Sequence, residues 1–295
     1  MGGGSRWQPY LVLALGVFTV AWAAIAIRLA AAPPLVTGAW RLSLASLILT
    51  PIALRHCGQE LQSLGRRDRQ LILASGLFLG LHFATWITSL SYTSVASSVV
   101  LVTTTPLFTG LAMRFLLKED VSAQMFLGLA LATVGGAIIG WGDFRVSGLA
   151  LWGDALAVIG AIMASGYMLI GRDLRRRLSL LAYVTPTYWV AALVLVVAML
   201  WTGQRATGYP MQTYGLFLLL AVGPQIVGHS SLNWALRYLS PTFVTAAVLG
   251  EPVGSAILAY LVLKERPSTS EILGSAVVLC GILVCSRAEA LGGPV

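Results

Sequence analysis

Gln225, His229 and Asn233 stand four residues apart in a stretch that is otherwise apolar. On an α-helix each such step turns about 400°, so the three share one face as a polar stripe. Two amides and an imidazole so arranged offer donors and acceptors to a polar solute, or equally hold neighbouring helices together. Ser230 widens the stripe, and Pro224 removes one backbone hydrogen bond beside it. A second set, His82, Thr85, Trp86 and Ser89, shares a face of an earlier stretch, and His82 and His229 occupy nearly equivalent places in the two halves of the chain. An imidazole could bind a carboxylate or pass a proton, although a lone histidine is more often a packing residue. Glu251 precedes Pro252 inside another apolar stretch. A carboxylate at that depth must carry a proton or meet a cation. It is therefore a candidate coupling or cation site, or half of an ion pair with Arg41, or an acid bonded to backbone that Pro252 frees. Thr103, Thr104 and Thr105 precede Pro106 at the corresponding place, where hydroxyls can satisfy freed carbonyls. Both prolines are candidate hinges. Trp22 and Tyr167 fall in mid-stretch, away from the interfacial zone where aromatics collect. They shape a pocket for organic side chains or cations, or pack a core.

The elements that carry these residues follow from composition. Of 295 residues, 57% are hydrophobic and 10% charged, against roughly 25% charge in a soluble domain. Lipid suits such a chain, and every charged stretch is shorter than about 20 residues, too short to build an aqueous core. Apolar stretches of spanning length fall at 10–31, 35–55, 70–92, 95–117, 122–141, 149–170, 180–201, 213–236, 240–263 and 269–286. The fold expected is all-α and integral to the membrane, with ten transmembrane helices. The first stretch, followed by Ala30-Ala31-Ala32, has features of a signal peptide but is long enough to span and is read as a retained helix. The small-residue rows Gly128, Ala132, Gly136, Gly140 and Gly153, Ala157, Ala161, Ser165 let helix backbones approach.

With the N-terminus placed inside, 13 of the 19 Lys and Arg residues fall on the inner side and 6 on the outer. That bias puts both termini in the cytoplasm. The runs 66–69 and 172–177 carry most of it and read as headgroup anchors.

Tyr92–Gly135 repeats itself 146 residues later, with 12 of 44 positions identical without a gap. The matches include Tyr92/Tyr238, Ser94/Ser240, Pro106/Pro252, Leu117-Lys118-Glu119/Leu263-Lys264-Glu265, Ser122/Ser268, Gly128/Gly274 and Gly135/Gly281. The unit is five helices, an odd number, so the second copy enters the bilayer upside down. The units expected are 1–145 and 146–295. Inverted repeats of this kind build alternating-access carriers with a site near the midplane. Ser268 and Glu271 have capping-box spacing at the start of the last helix.

At these residues the sequence resembles the EamA-type carriers of the drug/metabolite transporter superfamily. Trp40-Arg41-Leu42 opens the second span as in that family, and the runs from Pro106 to Asp120 and from Glu251 to Arg266 close on its Glu corner. The resemblance covers nearly the whole chain and implies a ten-helix carrier in a bacterial inner membrane. It extends to the YddG-like amino-acid exporters, from which Thr105 and Glu251 depart at the positions before the two prolines. Export of amino acids, aromatic or neutral, is what that likeness implies, with export of drugs or other metabolites coupled to protons as the alternative.

The sequence has no phosphate loop, zinc spacing or nucleophile elbow. No cofactor, metal or catalytic residue is therefore expected. A membrane enzyme would need paired acids near one interface, whereas Asp154 and Glu251 are isolated, and a channel would need a filter. Cys57, Cys280 and Cys285 have no metal-like spacing. The expected partners are a small-molecule substrate and membrane lipid, not nucleic acid, because the charge of +8 lies in short gaps between spans. A monomer suffices, and no residue fixes the oligomeric state. The residues expected to meet the solute are Trp22, His82, Trp86, Tyr167, Gln225, His229 and Asn233, with Glu251 and Arg41 as a coupling or structural pair.

Overall fold

The computed structural model describes residues 7–93, 95–140, 148–258, 260–261 and 268–291. Their regular structure is helical throughout, with no strand among the described residues. Six rods run without a gap: α1 (Gln8–Ala30), α2 (Pro34–Gln62), which kinks at Cys57 (φ −138°, ψ 25°), α3 (Arg66–Ser89), α5 (Ala123–Gly140), α6 (Gly148–Arg175) and α7 (Leu180–Trp201). A seventh, α10, runs over Thr269–Leu291. Three are broken. The rod α4 consists of Val95–Val102, Thr105–Leu111 and a π-turn at Ala112–Leu116. In α8, Met211–Leu220 and Ser230–Ala235 flank a π-helical stretch, Ala221–His229. The rod α9 is Pro241–Val248 followed by Glu251–Leu258.

Eight of these stretches are long and apolar enough to cross a membrane: α1, α2, α3, α6, α7, Ser97–Leu116 in α4, Met211–Ala235 in α8 and Ile272–Leu291 in α10. The chain is a multi-pass membrane protein. Among the described residues, two of the ten stretches read from sequence do not reach that length: α5 is described as far as Gly140, and the pieces of α9 as far as Leu258, each bordering residues outside the description. Leucines such as Leu15, Leu47, Leu77, Leu193 and Leu283 are exposed around the outside of the bundle, the pattern lipid favours.

The breaks have local causes. Pro106 cannot donate to the carbonyl of Val102, and the Thr105 hydroxyl donates to that carbonyl at 2.7 Å instead. Thr103 and Thr104 likewise bond carbonyls in the preceding turn. The Leu117-Lys118-Glu119 corner is a helix cap. Lys118 adopts φ 56°, and the Glu119 amide reaches back to the Met113 carbonyl at 2.9 Å, the bonding that closes a helix through a left-handed residue. Ser122 then caps α5 by accepting from the Met125 amide at 3.1 Å. The second corner, with Lys264 and Glu265, and the Glu271 side chain of the capping-box reading lie outside the described residues.

Glycines set the crossing of α5 and α10. A Cβ on Gly281 would lie 2.5 Å from the Ala132 nitrogen and 2.7 Å from the Gly128 carbonyl. One on Gly274 would lie 2.6 Å from the Gly135 carbonyl. The repeat pairs Gly128 with Gly274 and Gly135 with Gly281, while the contacts join Gly128 to Gly281 and Gly135 to Gly274. Exchanging the halves therefore turns each contact into the other, so the antiparallel crossing has a local two-fold axis. The contact uses Gly135 where the four-residue spacing of small residues suggested Gly136, which has nothing within 4 Å. The mismatch between that spacing and the 3.6-residue turn explains the shift.

The end of the bundle bearing the connections 63–65, 117–122, 176–179 and 236–240 is rich in arginine. Arg177 pairs there with Asp68 at 3.1 Å and Asp173 at 2.9 Å, tying α3 to α6. Arg172 and Arg175 are not headgroup anchors, contrary to the sequence reading of 172–177. Both are buried. Arg172 holds both carboxylate oxygens of Glu119 at 2.6 and 2.8 Å, and Arg175 donates to the carbonyls of Asn233 and Leu178. Their side chains turn inward because helix ends and a carboxylate supply the oxygens that a guanidinium needs.

Candidate functional site

A cavity lies midway along the bundle, where the broken rods α4 and α9 face α2, α3, α6 and α8. Its walls are largely apolar, from Val20, Phe83, Val102, Met168, Leu232 and Val248. Into them are set Arg41, His82, Trp86, Thr103, Thr105, His229, Thr245 and Glu251. Its volume is about 60 Å³. One water needs roughly 10–15 Å³ by that measure, so in this conformation the cavity suits a few waters and must widen to take an organic solute.

Arg41 is 1% exposed. Its Nε donates to Gln225 Oε1 at 2.8 Å, and its guanidinium lies 4.4 Å from the centre of the Phe83 ring. Nη1 and Nη2, both buried, have no hydrogen-bond partner in the protein. Glu251 is 5% exposed, and its Oε1 also lacks a partner. The two line one cavity, yet no ion pair joins them. A sequence-level pairing of Glu251 with Arg41 is thus not formed in this conformation.

The two histidines differ. His82 Nδ1 lies 2.9 Å from the Gly160 carbonyl; since a carbonyl only accepts, Nδ1 carries the proton and Nε2 is left as an acceptor. Its ring stacks on Trp86 at 5.9 Å, and the buried Trp86 Nε1 has no partner. His229 sits edge-on to Phe83 at 5.3 Å, with Nδ1 buried and unpartnered.

The remaining residues read from sequence lie behind this wall. Gln225 holds Arg41 and does not line the cavity. Asn233 bonds Tyr167 OH at 2.5 Å and the His229 carbonyl at 2.7 Å, and Tyr167 is buried with it. Trp22 packs on Ala21, Ile25 and Leu258. The stripe of 225, 229 and 233 is therefore split: one member supports Arg41, one faces the cavity and one bonds α6. The π-helical stretch around Pro224 is the reason, since its wider turn takes i, i+4 positions off one line. Pro106 lines the cavity; Pro252 follows Glu251 behind it. Phe83, Met168 and Thr245 were not singled out from sequence. Phe83 adjoins His82, but nothing in the pattern separates a ring that faces a guanidinium from one that faces lipid.

At the arginine-rich end the cavity is sealed. Thr242 Oγ1 donates to Met113 Sδ at 2.9 Å, Thr109 to Ser165 at 3.1 Å, and Tyr10 meets Phe243 edge-on at 5.7 Å. The Thr105–Leu111 segment of α4 packs there against Pro241–Val248 of α9. Beyond the seal lies a polar vestibule with Glu119, Asp120, Arg172, Ser240 and Glu289 on its walls. Glu289 closes the start of α9, accepting from the Ser240 amide at 2.6 Å and hydroxyl at 2.5 Å.

The family model of the EamA-like transporter family matches twice, at residues 7–141 and 151–287. The chain belongs to the EamA-like transporter family. This EamA-like chain is built of the two repeats that the family carries. Among proteins it is similar to, the "Uncharacterized transporter YyaM" of Bacillus subtilis (strain 168) is 22% identical over 262 residues, covering 86% of this chain and 84% of that protein. The "Uncharacterized transporter YetK" of the same organism is 29% identical over 206 residues, 65% of this chain and 60% of that protein. A crystal structure described only as that of a protein superposes with a TM-score of 0.82 at 16% identity, over 97% of this chain and 99% of that one. That likeness concerns the fold alone. Among the described residues no group of three or more His, Cys, Asp or Glu could hold a metal.

Proposed function

We propose that this EamA-like transporter is a secondary carrier that moves small organic solutes, amino acids among them, by alternating access, with export as its physiological direction. One observation carries the reading. A buried cavity at mid-bundle is walled from both repeats, set with unpaired polar groups, and closed at one end by side-chain contacts of the broken rods α4 and α9 with each other, with α6 and with α1. The units are 1–145 and 146–295, inverted, and ten helices cross the bilayer, with α5 and α9 completing the eight longer spans. Both termini and the arginine-rich end face the cytoplasm of a bacterial inner membrane, in keeping with the bias of cations towards that side. The seal is then a cytoplasmic gate, and Pro106 and Pro252 are the hinges about which α4 and α9 bend to open it. Chemistry on the solute plays no part, and no cofactor is needed.

Counterflow in proteoliposomes of the purified chain tests the reading, with radiolabelled amino acids, nucleosides and cationic drugs as the panel. Saturable uptake that is stimulated by the same solute on the opposite side is expected for at least one class. Flux without saturation would indicate a channel, and turnover of a lipid-linked substrate without flux would indicate an enzyme; either result overturns the carrier.

A further inference from the structure

The two charges on the cavity wall lead beyond the general reading of a carrier while resting on it. We infer that the solute is bound as a zwitterion, its carboxylate on the guanidinium of Arg41, its protonated amine on the carboxylate of Glu251, and its side chain against Phe83 and Met168.

Arg41 is held on one edge only. Gln225 takes Nε and Phe83 takes one face, which fixes the guanidinium plane and leaves Nη1 and Nη2, buried, without acceptors in the protein. The free part is a fork of parallel N–H groups, the shape that takes a carboxylate through two hydrogen bonds.

Glu251 is the repeat counterpart of Thr105, each standing immediately before a hinge proline. Thr105 spends its hydroxyl on the carbonyl that Pro106 frees. Glu251 Oε1 bonds nothing, so the acid does not mend the break at Pro252. One repeat thus closes its break with a hydroxyl, and the other carries an unpaired carboxyl oxygen at the same point. Among the described residues on the cavity wall, Arg41 is the one guanidinium and Glu251 the one carboxylate; the other titratable groups there are the imidazoles of His82, tied to Gly160 through Nδ1, and His229, whose Nδ1 has no partner. A solute with one charge would satisfy either Arg41 or Glu251 and leave the other desolvated, which weakens binding by roughly 100-fold. A solute carrying both charges satisfies both. The rest of the wall is apolar and accepts an uncharged side chain.

The test uses the full chain in lipid nanodiscs, with ligand binding read from tryptophan fluorescence. The probes are leucine and phenylalanine, their amides (amine without carboxylate), and 4-methylpentanoate and 3-phenylpropanoate (carboxylate without amine). An amino acid is expected to bind about 100-fold tighter than either of its single-charge analogues. Glu251→Gln should remove the preference over the carboxylate-only probe, and Arg41→Gln the preference over the amide. Equal affinity of the unaltered chain for an amino acid and one of its analogues overturns the zwitterion and needs no variant to fold. A preference unmoved by either substitution in a monodisperse variant also overturns it. Counterflow of the same panel separates the two readings. If a single-charge analogue is carried as well as its amino acid, the carrier stands and the zwitterion falls; if no probe of this panel is bound or carried, the zwitterion falls and the carrier is decided by counterflow of the nucleosides and cationic drugs.

Discussion

Gln225→Met tests whether the amide that grips Arg41 from behind sets the strength of the site. The substitution keeps the length of the side chain and removes the acceptor of the 2.8 Å bond from Arg41 Nε. A hydrogen bond to a charged group contributes about 1.5–3 kcal/mol. Without it the guanidinium retains only the Phe83 ring as a fixed neighbour, and an arginine released from one rotamer regains up to about 2 kcal/mol of side-chain entropy that binding must remove again. These terms overlap, because the bond is what holds the rotamer. The net loss in solute affinity is then about 1.5–3 kcal/mol, or roughly 10- to 150-fold in half-saturation. The assay is counterflow in proteoliposomes at graded solute concentration, with the melting midpoint of the purified variant recorded alongside. Half-saturation should rise while the maximal rate stays near its original value, since the lost interaction is one of binding rather than of gate movement. An unchanged half-saturation in a folded variant refutes the role given to Arg41. A fall in maximal rate alone would place Gln225 in the conformational step instead.

Proton competition at Glu251 predicts slower counterflow of an amino acid as pH falls, because a proton there displaces the solute's amine. Glu251→Gln should be slow and independent of pH, with Arg41, His82 and His229, the other charged and titratable groups on the cavity, left in place; a pH slope retained in that variant removes Glu251 from coupling. Gly281→Ala would set a Cβ 2.5 Å from the backbone nitrogen of Ala132, an overpacking worth roughly 1–3 kcal/mol, whereas Gly136→Ala meets nothing within 4 Å and should gain up to about 1 kcal/mol of helix propensity. Thermal melts that rank the two alike refute the glycine crossing. Lys118→Gly relieves a residue held at φ 56° and should raise stability by about 0.5–1 kcal/mol, read from the same melts. A membrane-impermeant amine reagent on intact cells should label Lys264 and spare Lys118; labelling of both from one side refutes the inverted repeat.

How much of this was legible in the sequence depends on how local each cause is. The Leu-Lys-Glu corner and the glycines repeated at 146 residues report backbone requirements that a residue type satisfies by itself, a left-handed turn or a close approach, so they could be read without a partner in view. The polar stripe at 225, 229 and 233 could not. Its geometry depends on a π-helical stretch, Ala221–His229, and an extra residue in a turn leaves no mark in hydrophobic periodicity. Arg172 and Arg175 resemble anchors because arginine at a helix end is ambiguous. Only the approach of Glu119 and of the Asn233 and Leu178 carbonyls turns them inward. Arg41 and Glu251 stood out as charges in hydrocarbon, but whether they pair with each other or face a shared cavity is decided by the relative position of α2 and α9, which no short-range pattern encodes.

The scaffold and its site obey different symmetries, and that difference bears on mechanism. The glycine crossing of α5 and α10 maps onto itself when the halves are exchanged, as it must if the two end states are near mirror roles of one design. The site does not. Glu251 corresponds to Thr105 in the repeat, while Arg41 precedes the stretch over which the two halves share one register, so the cavity's carboxylate has a hydroxyl as its counterpart. Exchanging the halves during a cycle therefore cannot reproduce the site by substitution of one residue for another. The same Arg41 and the same Glu251 must serve both states, and the helices must move around them. Arg41 is placed to stay still, being fixed by Gln225 and Phe83 on α8 and α3. Glu251 sits at a hinge proline and makes no bond through Oε1 that would hold it. The distance between the two charges is then the quantity that changes when α9 bends, and a solute spanning both would resist or permit that bend according to its length.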